Sequence, residues 1–457
     1  MKEILIKKLA DIVGKGNILS GSDQLEQYSR NETPGNYVFI PDVVIKPNSA
    51  AQISLILKVA NELKVSIVPR GAGTSRCGGS LPVTGGIVLS LEKMNKIKEL
   101  DKENLLLTVE PGVITGEINR YLEPYNLFYP PDPASIDSCS IGGNVVTNAG
   151  GPRCLKYGVT RNYIMELEVV FPEGNIERLG GKVLKNVTGY NLMQLLIGSE
   201  GTLGIITEIV LRLLPRKKFF ITLLVPFDIL ETATESVNTI LSKGFLPVTM
   251  EFIDRDCSIT MKENLNMEIP YEGSEAFLLI ELEGNDKSRL ESEYEHLGNE
   301  LINMGAKDVF VAEERPQREK LWEYRRSIAE ALEKKGEILP EDVVVPRSEI
   351  PKFITFVKDL GKKFSTEIYT FGHIGDGNIH IDILKGPNFE EYREEMLEQL
   401  FRGVNRYNGK ISGEHGIGFT KKKYLHFSVS SYQIELMKRI KKVIDPNNIL
   451  NPGKIFD

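Results

Sequence analysis

Apolar side chains at Ile4, Leu5, Leu9, Ile12 and Val13 recur at helical spacing near the start of the chain, interrupted by Lys7, Lys8 and Asp11. That pattern predicts an amphipathic helix, and neither a secretory h-region nor a membrane span. Short apolar runs then alternate with helical stretches. PDVVIKP predicts a strand between prolines, a helix follows over about 50–64, and VSIVPR predicts a strand that runs straight into GAGTSRCGGS. GIVLSL and LLLTVEPG predict further strands, ahead of an amphipathic helix at about 115–122. The stretch from Tyr129 to Gly158 is dense in Pro, Gly, Ser and Asn, which excludes long elements. Inside a compact domain a loop of that length is usually functional. MELEVVFPEG and IERLGG predict a hairpin, and GTLGIITEIVLRLLP closes this half at Pro215.

From Phe219 the texture changes. FFITLLV, a helix at about 229–242, VTMEFI, AFLLIELEG, a helix at about 287–304, VFVAEE and a helix through about 319–335 follow one another. This predicts an α+β unit, with a domain boundary near 216. IKKVIDPNNILNPGKIF predicts a helix stopped at Asp445-Pro446 and a turn-rich tail.

Within the second half, FGHIGDGNIHIDI sets His373 and His380 on either side of Asp376-Gly377. Asp-Gly between alternating apolar residues predicts a two-residue type I′ turn. Gly375 then pairs with Asn378, Ile374 with Ile379, and His373 lies opposite His380. Cross-strand partners have Cβ atoms about 4.5–5.5 Å apart, close enough for two imidazoles to share one metal ion. In SGEHGIG, Glu414 and His415 sit among glycines, as loop ligands or bases do. Two histidines, a carboxylate and open positions suit Zn²⁺, Mn²⁺ or Fe²⁺ in a redox or hydrolytic site. His296 and His426 read as structural.

Two glycine-rich segments add a second kind of chemistry. PRGAGTSRCGGS supplies Gly71, Gly73, Gly78 and Gly79 directly after a strand, and glycines let backbone N–H groups converge on a phosphate. The spacing is not GxGxxG and there is no GK[ST], so neither a Rossmann NAD site nor a Walker loop is supported. SIGGNVVTNAGGPRCLKYG interleaves Gly142, Gly143, Gly150 and Gly151 with Asn144 and Asn148, whose amides can bond a heterocycle or ribose. Two such nests suit a dinucleotide bound in extended form.

With 457 residues the chain is too long for one ordinary core, so two or three domains are expected. A net charge of −7 without a basic block argues against nucleic acid as the partner. No stretch reaches about 18 apolar residues, so no transmembrane helix is expected. Cys77, Cys139, Cys154 and Cys257 form no CxxC pair, which points to a reduced, cytoplasmic protein without its own iron–sulfur cluster.

PRGAGTS, PPDPASIDSCSIGGNVVTNAGGPR, KNVTGYNL, GSEGTLGIITE, HIGDGNIH, SGEHGIG and the closing NPGKI together resemble the FAD-linked 2-hydroxyacid dehydrogenases. This is the family of the glycolate oxidase flavoprotein subunit and D-lactate dehydrogenase, within the vanillyl-alcohol oxidase superfold. The resemblance covers nearly the whole chain, in order. It implies an α+β protein: an N-terminal helical segment at 1–37, a two-lobed FAD-binding domain at 38–215, an antiparallel-sheet cap carrying the metal site at 216–425, and a tail at 426–457 that returns to the FAD domain. By the same resemblance Arg70, Gly71, Gly73 and Thr74 cradle the pyrophosphate from one side, and Ser140, Gly142, Gly143 and Asn144 from the other. Asn148, Gly150, Glu200, Gly204 and Ile206 line the ribose, adenine and flavin, and Asn451 approaches the ring. Some relatives tether flavin through a histidine in the first glycine loop. Thr74 stands at that place here, so FAD is expected to be noncovalent.

The resemblance further implies that His373, His380 and Glu414 bind the metal and that His415 is the base. KLWEYRRSIAEAL offers Arg325 and Arg326 beside Trp322, and the resemblance favours Arg325 for the substrate carboxylate. Relatives that oxidise 2-hydroxyglutarate carry a lysine in the following loop. GEILPEDVVVP has Pro340 and Glu341 and no cation, which points to a monocarboxylate such as D-lactate or glycolate, with Arg347 the other arginine able to reach in. Electrons then leave to an electron-transfer flavoprotein, an iron–sulfur subunit or quinone, in the cytoplasm or at the membrane surface; homo-oligomerisation stays open. The rival readings are a redox-neutral flavoenzyme such as alkyl-glycerone-phosphate synthase, and a flavin-holding subunit without its own chemistry.

Overall fold

The computed structural model describes residues 2–271 and 273–456. The chain divides into two compact units. One comprises the residues up to Ala149, Val159–Arg216 and those from His415 onward; the other comprises Gly150–Gly158 and Lys217–Glu414.

In the first unit, β1 (Ile18–Leu19), β2 (Val43–Ile45), β3 (Ile67–Arg70) and β4 (Ile87–Ser90) form a sheet in the order β1-β2-β4-β3. β4 runs parallel to both β2 and β3, so the chain needs a crossover, which the helix Ala50–Leu63 supplies. Ser49 caps that helix by accepting from Gln52 N, and Ile53, Ile56, Leu57 and Ala60 form its buried face. β5 (Ile97–Asp101), β6 (Leu106–Val109), β8 (Ile164–Val170), β9 (Ile176–Gly180) and β10 (Ile205–Arg212) make an antiparallel sheet in the order β5-β6-β10-β8-β9, and β7 (Leu127–Phe128) pairs with β11 (Leu214–Pro215). The C-terminal segment joins the open edge of β3. Ile67 N donates to Ile449 O and Asn451 N to Ile67 O, both at 2.7 Å.

The second unit is built on seven strands: β12 (Phe219–Phe227), β13 (Thr249–Asp254), β14 (Ala276–Gly284), β15 (Phe310–Ala312), β16 (Ile338–Val344), β17 (Ile368–His373) and β18 (Asn378–Leu384). Their order is β15-β12-β14-β13-β17-β18-β16, with every neighbouring pair antiparallel. On one face, Cys257 and Met261 of the helix Arg255–Leu265 pack with Tyr324, Ile328, Ala331 and Leu332 over Ile253, Phe277, Leu279 and Phe371. In the helix Ile350–Phe364 the buried positions Phe353, Ile354, Val357 and Leu360 fall at the i, i+1, i+4, i+7 spacing of a single stripe. Among the described residues no helix is long and apolar enough to cross a membrane.

Two expectations change. The single helix expected through about 319–335 is two, Arg315–Arg326 and Ile328–Lys335, broken at Ser327 so that Tyr324, Ile328 and Leu332 reach one core cluster. GEILPEDVVVP, read as a loop, contains β16. A proline argues against a central strand, but β16 lies at the edge of its sheet, where a missing N–H is tolerated.

Asp254 ties this unit together. It is buried at the end of β13, caps the following helix by accepting from Cys257 N at 2.8 Å, and accepts from Thr370 N, Thr370 Oγ1 and Lys358 Nζ. Burial pushes its carboxyl up, but the Lys358 ammonium and the Cys257 N–H outweigh burial and hold it below the ordinary carboxylate range. A depressed carboxyl contributes stability that is complete above its unfolded value and is lost as pH falls through the folded one. Asp254→Ala should therefore cost about 3–5 kcal/mol at neutral pH. In denaturant titrations the gap to wild type should narrow below about pH 4; a gap of under about 1 kcal/mol at pH 7 would contradict this account.

Candidate functional site

β17 and β18 form the hairpin that carries the two histidines, in a register other than the expected one. His373 lies opposite Asn378, and His380 opposite Phe371. The turn is residues 374–377, four rather than two. The cause is competition from neighbouring segments for the turn's backbone. Gly375 N donates to Met250 O, and Gly377 O accepts from Val345 N. Gly377 has φ +92°, and a Cβ there would lie 2.2 Å from Val345 O, so only glycine fits. The histidines are thus diagonal neighbours on one sheet face, with ring centroids 5.2 Å apart, edge to face.

Glu414 reaches the same place from a distant segment. Asp342 on β16, opposite His380 on β18, is fully buried. Its Oδ2 accepts from Ser412 Oγ (3.0 Å), Gly413 N (3.0 Å) and Glu414 N (2.9 Å), and its Oδ1 from Asn378 Nδ2 (2.6 Å). One carboxylate therefore anchors the SGE segment to the hairpin. Glu414 Oε1 ends 3.7 Å from Nε2 of both His373 and His380, and one donor atom of each residue lies within 4.8 Å of the others.

Behind His373 stands Glu251, 0% exposed on β13, with its carboxylate oxygens 2.8 and 2.9 Å from Nδ1. Burial alone lowers the His373 pKa, but the Glu251 and Glu414 carboxylates reverse this and raise it well above its ordinary value. Burial likewise pushes the Glu414 carboxyl up, and the two histidines outweigh it, holding it near a pKa of about 2. His373 Nε2 is buried without a hydrogen-bond partner. Two imidazole nitrogens and a carboxylate, one nitrogen orphaned, form a donor set that suits a divalent cation.

Arg325, 8% exposed, lies in the same cluster, with Nη2 2.8 Å from Glu251 Oε2 and its guanidinium 5.0 Å from the Phe371 ring centroid. Arg326 is exposed. Arg347, also exposed, donates to Gly375 O at 3.3 Å. Sequence reasoning missed Glu251 and Asp342. Their one signal was an acid inside the apolar runs VTMEFI and ILPEDVVV, where a charge is rarely buried without a partner.

In the first unit, the two glycine segments meet. A Cβ on Gly71 would lie 2.1 Å from Ser140 Oγ, and one on Gly73 (φ +85°) 2.3 Å from Arg70 Nη2. Arg70 Nη1 donates to Arg30 O, and Thr74 follows Gly73 in the same loop. Ser140 caps the helix Ile141–Thr147, which carries Gly142, Gly143 and Asn144. The Asn144 amide donates to Thr115 Oγ1, and Asn148 Oδ1 accepts from Arg161 N. Gly204 packs against Val169, and Ile206 is buried in β10. Glu200 (φ +51°) accepts from Ile417 N at 2.8 Å and Gly418 N at 2.7 Å, and burial pushes its carboxyl up against the pull of those donors. Asn451 Nδ2 donates to Gly79 O and Glu200 O, while its Oδ1 is buried with no partner. A bare, glycine-lined cradle and an orphaned acceptor suit a bound dinucleotide. Gly150, by contrast, belongs to the second unit, where a Cβ would lie 3.3 Å from Glu414 Oε2. His415 opens the segment counted with the first unit.

Residues 41–180 match a family model described as an FAD binding domain, and residues 216–455 one described as FAD linked oxidases, C-terminal domain. The chain is 40% identical over 455 residues to the glycolate oxidase subunit GlcD of Bacillus subtilis, covering 98% of this chain and 96% of that protein. It is 37% identical to a D-lactate dehydrogenase of Anaerostipes hadrus, covering 99% and 97%. A crystal structure of p-cresol methylhydroxylase with substrate bound shares the fold, with a TM-score of 0.83 at 19% identity, covering 100% of this chain and 97% of the other. Its fold is that of the vanillyl-alcohol oxidase type.

The anchoring role of Asp342 is open to test. Asn offers one acceptor and one donor where four donors converge, so Asp342→Asn should destabilise the protein by about 1–3 kcal/mol through at least one unmatched donor. It should also lower retention of added Zn²⁺, measured after dialysis, because Glu414 loses its anchor. Unchanged melting and unchanged retention together would remove Asp342 from the site.

Proposed function

This chain belongs to the FAD-linked oxidases, and from that premise we propose that it oxidises a small D-2-hydroxy acid, D-lactate or glycolate, to the 2-oxo acid. The observation that carries this reading is the cluster of His373, His380 and Glu414 with Arg325 bound to the same Glu251 as His373. Arg325 provides the guanidinium fork that a carboxylate requires. His415, next in the chain after Glu414, accepts the hydroxyl proton. His373, His380 and Glu414 would hold Zn²⁺, Mn²⁺ or Fe²⁺, which when bound supplies a Lewis acid for an alcohol too weakly acidic to lose its proton unaided. Arg70, Gly71, Gly73, Thr74, Ser140, Gly142, Gly143, Asn144, Asn148, Glu200, Gly204, Ile206 and Asn451 would hold FAD noncovalently, and FAD supplies the two-electron acceptor for the C2 hydrogen.

The names of the relatives support a 2-hydroxy acid, with glycolate and D-lactate at the higher identities and D-2-hydroxyglutarate at a lower one. The β16 segment supports a monocarboxylate, since Pro340 and Glu341 offer no cation to a second carboxylate. Electrons pass onward to an electron-transfer flavoprotein, an iron–sulfur subunit or quinone, with the protein in the cytoplasm or at the membrane surface.

Anaerobic bleaching of the flavin by D-lactate, L-lactate, glycolate and D-2-hydroxyglutarate tests the reading, with metal analysis of the same sample. D-Lactate or glycolate should bleach fastest; bleaching by none of the four would overturn it. His415→Ala should slow bleaching by about 10²–10⁴-fold, and an unchanged rate would favour a flavin-holding subunit. Treatment with a chelator should slow bleaching in wild type, with recovery on adding Zn²⁺ or Mn²⁺.

A further inference from the structure

Glu251 is a full negative charge with no exposure to water, in the interior of a sheet. Such a charge is costly unless donors surround it. β13 pairs with β17 so that Ile253 lies opposite Phe371, which puts Glu251, two residues before Ile253, on the sheet face of Phe371 and His373. Its oxygens lie 2.8 and 2.9 Å from His373 Nδ1, and Oε2 also lies 2.8 Å from Arg325 Nη2. The same oxygen therefore serves both side chains.

A carboxylate only accepts, so Nδ1 can bond it only by carrying the hydrogen. That leaves Nε2 as the ligating nitrogen, because the partner of one ring nitrogen decides the role of the other. Each residue held by Glu251 also keeps one unmet polar atom: Nε2 of His373 and Nε of Arg325 are buried without hydrogen-bond partners. Phe371 supports the guanidinium from the side at 5.0 Å. One acid thus orients two groups whose remaining valences are unspent.

We propose that Glu251 is the positioning residue shared by the two halves of this site, fixing the His373 tautomer that presents Nε2 and holding Arg325 beside it. The inference rests on the reading of His373 as a cation ligand and Arg325 as the carboxylate holder. Glu251 touches neither substrate nor cofactor in this account. It acts through the residues that do.

Two measurements decide it. In the flavin-loaded, substrate-free protein, Zn²⁺ alone is titrated against a chelating dye. Glu251→Gln, matched in shape, should weaken Zn²⁺ binding about 10–100-fold while FAD content stays that of wild type. Equal affinity in wild type and Glu251→Gln would overturn the proposal. If wild type itself binds no Zn²⁺, the cation reading fails first, a result distinct from an unaffected variant. Should Glu251→Gln not fold, the second measurement does without that variant. Spectra of ¹⁵N-histidine-labelled, Zn²⁺-loaded protein, assigned with His373→Gln, should show a hydrogen retained on His373 Nδ1 and the metal shift on Nε2. A metal shift on Nδ1, or a hydrogen on Nε2, would overturn it, and a merely structural role for Glu251 would leave the tautomer unspecified.

Discussion

A carboxylate buried in a sheet must find its donors within the protein, because water cannot reach it. The second unit is organised by that constraint. Removing one partner of a buried charge typically costs about 3–5 kcal/mol, so the groups that satisfy such an acid are held as firmly as the core. Glu251 holds His373 and Arg325; Asp342 holds Ser412, Gly413, Glu414 and Asn378. Two of the side chains with candidate chemistry, His373 and Arg325, donate to Glu251 directly, and a third, Glu414, is held through its backbone N–H by Asp342. Their placement follows from an electrostatic requirement and needs no further device.

The same arrangement recurs in the first unit. Glu200, in the left-handed region and buried, receives the backbone donors of Ile417 and Gly418, and its own carbonyl receives Asn451. Along the chain, Glu414 and His415 therefore stand between two segments each fastened to a buried acid, residues 412–414 to Asp342 and residues 417–418 to Glu200. The fold alone does not select a chemistry, since proteins of less than 20% identity share it.

The hairpin shows what kind of error a sequence reading makes. Asp376-Gly377 suggests a two-residue turn, whereas the backbone of Gly375 and Gly377 is taken by Met250 and Val345. Pairing consequently shifts by two residues. A shift of two preserves which face each side chain occupies, whereas a shift of one would have sent one histidine to the opposite face. Both histidines thus still meet, through a diagonal contact instead of a direct one. GEILPEDVVVP differs for another reason: it reads as the loop in which relatives carry a lysine, whereas it holds β16, and the edge position of that strand makes Pro340 harmless.

The sequence by itself determined the local matters: where glycine is obligatory, where an apolar stripe makes a helix, which histidines and acids stand in glycine-rich turns, and the order of motifs that identifies the family. These are properties of neighbours along the chain, and periodicity and steric limits express them directly. Only the tertiary structure decided that Glu251 stands behind His373, 122 positions away, and that Asp342 anchors Glu414, 72 positions away. An acid in an apolar run announces that it needs a partner. Which partner it finds depends on strand order and register, and those are set by the packing of the whole sheet.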